Sequence, residues 1–158
     1  MARRLIAALG GPPDAPIGRD PAGCPVWPAG FAGSISHTSG FTAVLVARTA
    51  GAVGIDLERV GRIDAALWPS VFTPVEMLSL RTQREHALAA TVLFSAKEAV
   101  QKAAYARGGA WAELSRISLV VDWRRRRFRS PQLHGGIGHF VCDGEHVLTA
   151  CSIQPVEP

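Results

Sequence analysis

The chain has 158 residues, 47% of them apolar and 19% charged, a balance that suits a globular protein with a hydrophobic core and not a disordered one. No uncharged apolar run approaches the ~20 residues that cross a bilayer, and Leu5 to Leu9 is too short for the apolar centre of a signal peptide. A cytoplasmic protein without membrane attachment is therefore expected. The formal charge of +4 favours an anionic partner without naming one.

Residues 10 to 30 hold Gly-Gly-Pro-Pro, Asp-Pro, Cys-Pro and Trp-Pro, which force turns and extended backbone, so this stretch is a connecting arm rather than a helix. Two short strands follow, Ser34–His37 and Phe41–Ala47, around the turn signal Thr38-Ser-Gly40. A third spans Ala52 to Val60, separated from the second by Arg48-Thr-Ala-Gly51. The three together predict an antiparallel meander.

The middle of the chain reads as helical. Thr73 before Pro74, with Glu76 three residues after the threonine, is an N-cap, a first-turn proline and a capping-box acid. From about His86 to Ala106, Leu88, Val92, Leu93, Ala96, Val100 and Ala103 form one apolar stripe at helical spacing, and Gly108-Gly109 ends it. The remainder is strand-like again: Ile117–Trp123, Arg127–Ser130, Gly138–Cys142 and His146–Ile153, with Asp143-Gly144 as a hairpin turn. Strands, then helices, then strands imply an α+β fold.

Cys24, Cys142 and Cys151 contain no CxxC pair, so neither a disulfide framework nor a zinc site is expected; Cys142 and Cys151 sit in apolar stretches and read as core. The basic residues are lopsided, fifteen arginines against two lysines. Both lysines fall in one segment, Phe94-Ser-Ala-Lys-Glu-Ala-Val-Gln-Lys102, which makes them look like a chemical choice. The run Asp122-Trp-Arg-Arg-Arg-Arg-Phe-Arg129 reads foremost as a hairpin with solvated arginines; contact with nucleic acid or with an acidic protein is the alternative.

Three clusters could carry chemistry. In Gly54-Ile-Asp-Leu-Glu58, a strand puts Asp56 and Glu58 on the same face, where two carboxylates repel unless they share a cation or a proton; taken alone, the cluster reads foremost as the solvent side of an amphipathic edge strand. Glu98 and Lys102 are four apart on a helix, a surface ion pair or else a carboxylate for a metal beside an ammonium for a phosphate. In Gly33-Ser-Ile-Ser-His-Thr38, Ser34 and Ser36 share a strand face with His37 opposite. No Walker loop, dinucleotide fingerprint or serine-nucleophile elbow is present.

In order and spacing, Trp27-Pro-Ala-Gly30, Gly33-Ser-Ile-Ser-His37, Gly-Ile-Asp-x-Glu58 and Phe94-Ser-x-Lys-Glu-Ala-x-x-Lys102 resemble the Sfp-like 4′-phosphopantetheinyl transferases, especially their siderophore-synthase branch. The likeness covers roughly Ile17 to Gly109, with Phe94 standing where the family usually has Trp. It implies an enzyme that moves the 4′-phosphopantetheine of coenzyme A to a serine of an acyl or peptidyl carrier protein, with Mg²⁺, releasing 3′,5′-adenosine bisphosphate. Carried over by position, Asp56, Glu58 and Glu98 become Mg²⁺ ligands. Lys97 and Lys102 become contacts to the coenzyme A phosphates, with Lys102 acting on the leaving group. Ser36 and His37 hold the 3′-phosphate side, Arg19 touches the nucleotide, and Glu76 activates the acceptor serine or else only caps its helix.

The implied fold is a pseudo-dimer of two small lobes, each an antiparallel sheet with a packed helix, within a single domain of residues 1–158. The N-terminal lobe would span about 1–72 and the C-terminal lobe 73–158. Only Met1 to Leu9 precede the proline-rich arm, where such enzymes carry a longer segment, so a shortened first lobe is expected. The alternative function is a non-catalytic coenzyme A-binding or regulatory relative. Nucleic acid and membrane are not expected partners.

Overall fold

The computed structural model describes residues 1–49 and 51–154; Ala50, in the break between the second and third strands, and residues 155–158 lie outside the described residues. In chain order the elements are α1 (Ala2–Ala8), β1 (Gly18–Arg19), β2 (Pro25–Val26), β3 (Phe31–Thr38), β4 (Phe41–Arg48), β5 (Ala52–Arg59), α2 (Trp68–Val71), α3 (Pro74–Thr82), α4 (His86–Ala106), β6 (Val120–Asp122), β7 (Arg127–Arg129), β8 (Gly138–Cys142) and β9 (His146–Ile153).

The chain is α+β, with two unequal antiparallel units. In the smaller, β3 and β4 form a two-stranded sheet with α1 packed on β4. In the larger, five strands run in the order β5-β9-β8-β7-β6, with the 21-residue α4 across one face. The expected meander is corrected here. β5 does not continue β3–β4 by strand pairing; it pairs along its whole length with β9, from Ala52↔Ile153 to Arg59↔His146. The reason is burial. β5 is covered nearly throughout: it is the terminal strand of the large sheet, but α4 and the β3–β4 hairpin pack against it, so its outer edge is shielded by packing instead of by a second ladder.

The glycine of Gly-Ile-Asp-x-Glu is explained by this packing. A methyl at Gly54 would lie 1.9 Å from the Ala99 carbonyl oxygen of α4, so only glycine lets strand and helix approach this closely. Ala96, Ala99, Val100 and Ala103 complete the contact and are fully buried. Gly33 plays the same part in the smaller unit, where a Cβ would fall 2.5 Å from the Trp27 indole.

The helical middle follows its sequence signals. Thr73 Oγ1 accepts from the Glu76 amide at 3.3 Å, and Glu76 Oε2 accepts from the Thr73 amide at 2.8 Å, a complete capping box. The last sheet is shorter at its edge than the alternation predicts. Residues Leu114–Arg116 form a 3-10 turn, and the Leu119 amide donates to Glu76 Oε1 rather than to a strand. β7 stops at Arg129 because Ser130 begins the 3-10 turn Pro131–Leu133, and proline has no N–H to extend a ladder.

Replacing Gly54 by alanine drives a methyl into a backbone oxygen that cannot swing aside. The expected loss is at the upper end of the ~1–3 kcal/mol typical of overpacking, read as a lower midpoint in urea unfolding.

Candidate functional site

β3, β5 and α4 meet at one buried node. Asp56, 3% exposed, lies on the face of β5 that looks toward α4, as Gly54 does two residues earlier. Its Oδ1 accepts from Lys102 Nζ at 2.7 Å and from the Ser36 hydroxyl at 2.8 Å. Ser36 Oγ in turn accepts from the Leu57 amide at 3.2 Å, and Lys102 Nζ also donates to the Ile55 carbonyl at 3.3 Å. The surface ion pair that was one reading of Glu98 and Lys102 does not form, because Lys102 bonds to the buried Asp56 carboxylate instead.

The remaining oxygens are in surplus. Asp56 Oδ2 is buried without a hydrogen-bond partner. Glu58 Oε2 lies 3.2 Å from Arg62 Nε, yet it too is buried and lacks a hydrogen bond of proper alignment. Burial foremost, and then the Asp56 charge, push the Glu58 carboxyl up to about 7, with Arg62 opposing and Glu98 adding. Glu98 is raised as well, by burial above all and further by Asp56, against the pull of Lys102. Three carboxyls are thus met by the Lys102 ammonium and, at Glu58, by the exposed Arg62 guanidinium. Hard oxygen donors, two of them unpartnered, suit a divalent cation that shares its shell between carboxylates and a ligand's phosphate oxygens. Among the described residues no three His, Cys, Asp or Glu side chains are grouped so as to hold a metal ion by themselves.

Beside the node opens a cleft of about 900 Å³ whose walls include Arg19, Ser34, His37, Lys102, Tyr105 and Trp111. One wall is the β1–β2 arm, curled by an Arg19 Nη1 bond to the Gly23 carbonyl at 2.8 Å and by the Cys24 amide on Asp20 Oδ1 at 2.8 Å. The opposite wall is the end of α4. The two are tied where the Tyr105 hydroxyl donates to Asp20 Oδ2 at 2.8 Å, while the Tyr105 ring stacks on Trp111 at 4.7 Å. Asp20, Tyr105 and Trp111 were not singled out by sequence reasoning. A usable signal existed for Tyr105, the only tyrosine in the chain, three residues after Lys102 and so on the same helix face.

Lys97 and Glu76 do not line this cleft; Glu76 caps α3, one of the two roles expected of it, and Lys97 is buried beside it. Five positions along a helix turn a side chain by about 140°, so Lys97 and Lys102 point different ways. Lys97 is fully buried, with Nζ bonded to Glu76 Oε2 at 2.7 Å, the Val71 carbonyl at 2.9 Å and the Leu114 carbonyl at 3.0 Å. All three of its protons are committed. Burial pulls the Lys97 ammonium down and Glu76 holds it up. The pair joins α2, α3, α4 and the 114–119 segment, so it is a structural clasp. Of the sequence candidates, the structure gathers Ser36, Asp56 and Lys102, with Glu58 and Glu98 electrostatically coupled to them. It puts Arg19 and His37 on the adjacent cleft wall.

The comparisons with known proteins agree in one direction. Residues 1–47 match the model of the 4′-phosphopantetheinyl transferase N-terminal domain, and residues 52–151 match that of the 4′-phosphopantetheinyl transferase superfamily. The 4′-phosphopantetheinyl transferase Npt of Nocardia iowensis is 37% identical over 123 residues, covering 77% of this chain and 55% of the relative. PptT of Mycobacterium tuberculosis is 34% identical over 143 residues, 89% of this chain and 59% of its own. Enterobactin synthase component D of Salmonella typhi is 38% identical over 82 residues, half of this chain and 34% of its own. The chain thus spans about half the length of the curated relatives it matches. Among solved structures, the Thermotoga maritima holo-[acyl-carrier-protein] synthase aligns with a TM-score of 0.52 at 14% identity, over 66% of this chain and 64% of that one, a likeness of fold.

Two outcomes are expected from the charges described. Glu58 has its folded value raised above 4.5 to about 7, so between those values the folded state holds a proton that the unfolded state has released. Without divalent cations, its contribution to stability is whole below pH ~4.5 and is lost as pH rises through ~7. Melting temperature should fall across that window, and Glu58→Gln should flatten this part of the profile. Lys97→Ala leaves Glu76 buried without its cation and should cost ~3–5 kcal/mol, seen by calorimetry as a large drop in melting temperature.

Proposed function

We propose that this chain, which belongs to the 4′-phosphopantetheinyl transferase superfamily, moves the 4′-phosphopantetheine arm of coenzyme A onto a serine of an acyl or peptidyl carrier protein. The observation that carries this reading is the position of Lys102. It is the one lysine that both lines the cleft and reaches the carboxylate node, so a phosphate entering the cleft meets an ammonium beside the carboxyl cluster.

The roles of the side chains follow from their places. Arg19 and His37, on the cleft wall, offer cationic or hydrogen-bonding groups to the 3′-phosphate side of the nucleotide. Ser36, held between Asp56 and the β5 backbone, orients the Asp56 carboxylate toward the cleft end. Asp56, Glu58 and Glu98 would hold Mg²⁺ together with pyrophosphate oxygens. When bound, the ion supplies positive charge against the negative charge that grows as the phosphoanhydride opens. The acceptor serine oxygen attacks the β-phosphorus and gives up its proton to water, the bond from that phosphorus to the bridging oxygen breaks, and 3′,5′-adenosine bisphosphate departs with the bridging oxygen. Lys102 donates to the leaving phosphate, exchanging part of its Asp56 bond for it. Glu76 acts at a distance here, as the partner that fixes Lys97 and the 114–119 segment.

The likeness to enterobactin synthase component D favours acceptors in siderophore or other secondary-metabolite assembly, at work in the cytoplasm. A second reading, a coenzyme A-binding relative without turnover, is favoured by the two-stranded first sheet. Mass spectrometry of an apo carrier protein incubated with coenzyme A, Mg²⁺ and the chain decides between them. A phosphopantetheine adduct is expected, and it should vanish with Asp56→Ala or Glu98→Ala. No adduct at high enzyme concentration, with coenzyme A binding intact by calorimetry, would establish the second reading. Full transfer by either variant would refute the carboxylate roles.

A further inference from the structure

The run of arginines between β6 and β7 has no part in the site described. Arg124, Arg125, Arg126, Arg127 and Arg129 are all exposed. Among the described residues only Arg125 finds an acidic partner, Asp122 at 3.3 Å. The turn is ordered nonetheless: Asp122 Oδ1 accepts from the Arg125 amide at 3.0 Å, and Arg126 takes a left-handed backbone, φ 51°. Glycine or asparagine would hold that conformation with less strain. The sequence therefore places a cation at the turn despite a backbone preference for another residue, next to like charges that repel it.

Register sets where this charge points. Gly138 pairs with Phe128 and His139 with Arg127, and the Phe140 amide donates to the Arg126 carbonyl at 3.0 Å. The turn thus extends toward the Cys142 end of β8. Cys142 pairs with Val147, and Val147 with Glu58. The arginine turn and Glu58 are therefore at the same end of the sheet, three strand spacings apart, or about 14 Å. Register puts Arg127 and Arg129, with the exposed Val120 and Val141, on the sheet face opposite Glu58, so the turn residues Arg124 to Arg126 are the cations that border the Glu58 end.

We propose that this hairpin is the docking surface for an acidic acceptor protein, taking the carboxylate-bearing face of the carrier while its serine reaches the cleft end. The inference rests on the transferase reading for the identity of the partner. The charge complementarity speeds and orients encounter, and it weakens as salt screens it.

The test measures binding apart from turnover, by anisotropy of a fluorescently labelled, acidic apo acyl carrier protein. Arg124→Glu with Arg126→Glu should raise Kd at least tenfold and remove most of its salt dependence. Arg3→Glu with Arg4→Glu, an equal charge change on exposed α1 residues, should leave Kd within about twofold, and coenzyme A binding should be the same in both. Equal carrier affinity for the native and hairpin variants, or no carrier binding by the native chain, overturns the docking surface. Tighter binding of mixed-sequence duplex DNA than of carrier at the same salt overturns it in favour of a nucleic-acid partner. Carrier binding that depends on the hairpin, with no adduct by mass spectrometry, would sustain the surface and refute the transferase reading instead.

Discussion

The buried carboxylate of Asp56 is the constraint around which the rest is arranged. A charge at this depth is tolerated only with partners, and its two partners come from distant parts of the chain, Ser36 on β3 and Lys102 on α4. The node therefore closes the hairpin onto the large sheet and sets α4 in register with β5. That closeness is what the absent side chain at Gly54 permits. Because Lys102 and Ser36 satisfy a single oxygen, the other oxygen of Asp56 is left buried without a hydrogen-bond partner, near the Glu58 and Glu98 carboxyls that burial raises.

The two lysines of α4 occupy contrasting environments. Lys97 is spent entirely on the interior, bridging Glu76 and two carbonyls, and it holds the segment that leads from α4 to β6. Lys102, about one and a half turns further on, keeps part of its ammonium in the cleft. Adjacent in a motif, they differ because of helical phase. Glu76 shows a similar economy of parts: one carboxylate caps α3, neutralises Lys97 and receives the Leu119 amide.

Much of this was legible in the sequence, where local rules govern. Helix boundaries, the capping box at Thr73, the stripe of α4 and the shared face of Asp56 and Glu58 are all encoded within a few residues of one another. What was not legible is partnership. Period-two alternation says which face a residue is on but not which strand lies alongside, so β5 was read with β4 when its ladder is with β9. Spacing offered Glu98 as the neighbour of Lys102, whereas a carboxylate 46 positions away outcompetes it. The Asp20–Tyr105 tie across the cleft joins residues 85 positions apart, beyond any local pattern.

The pairing of β5 with β9 has a consequence for how the molecule comes into being. The strand bearing Asp56 and Glu58 is translated in the first half of the chain, yet its ladder partner is the last strand. Loop-closure entropy must be overcome before that pairing gives any return, and topologies rich in such distant contacts fold slowly. During synthesis an apolar strand carrying two carboxylates waits with open backbone edges while some ninety residues follow it. That interval is where association with other chains competes with folding, so the step that completes the site is also the step that ends the chain's exposure to aggregation.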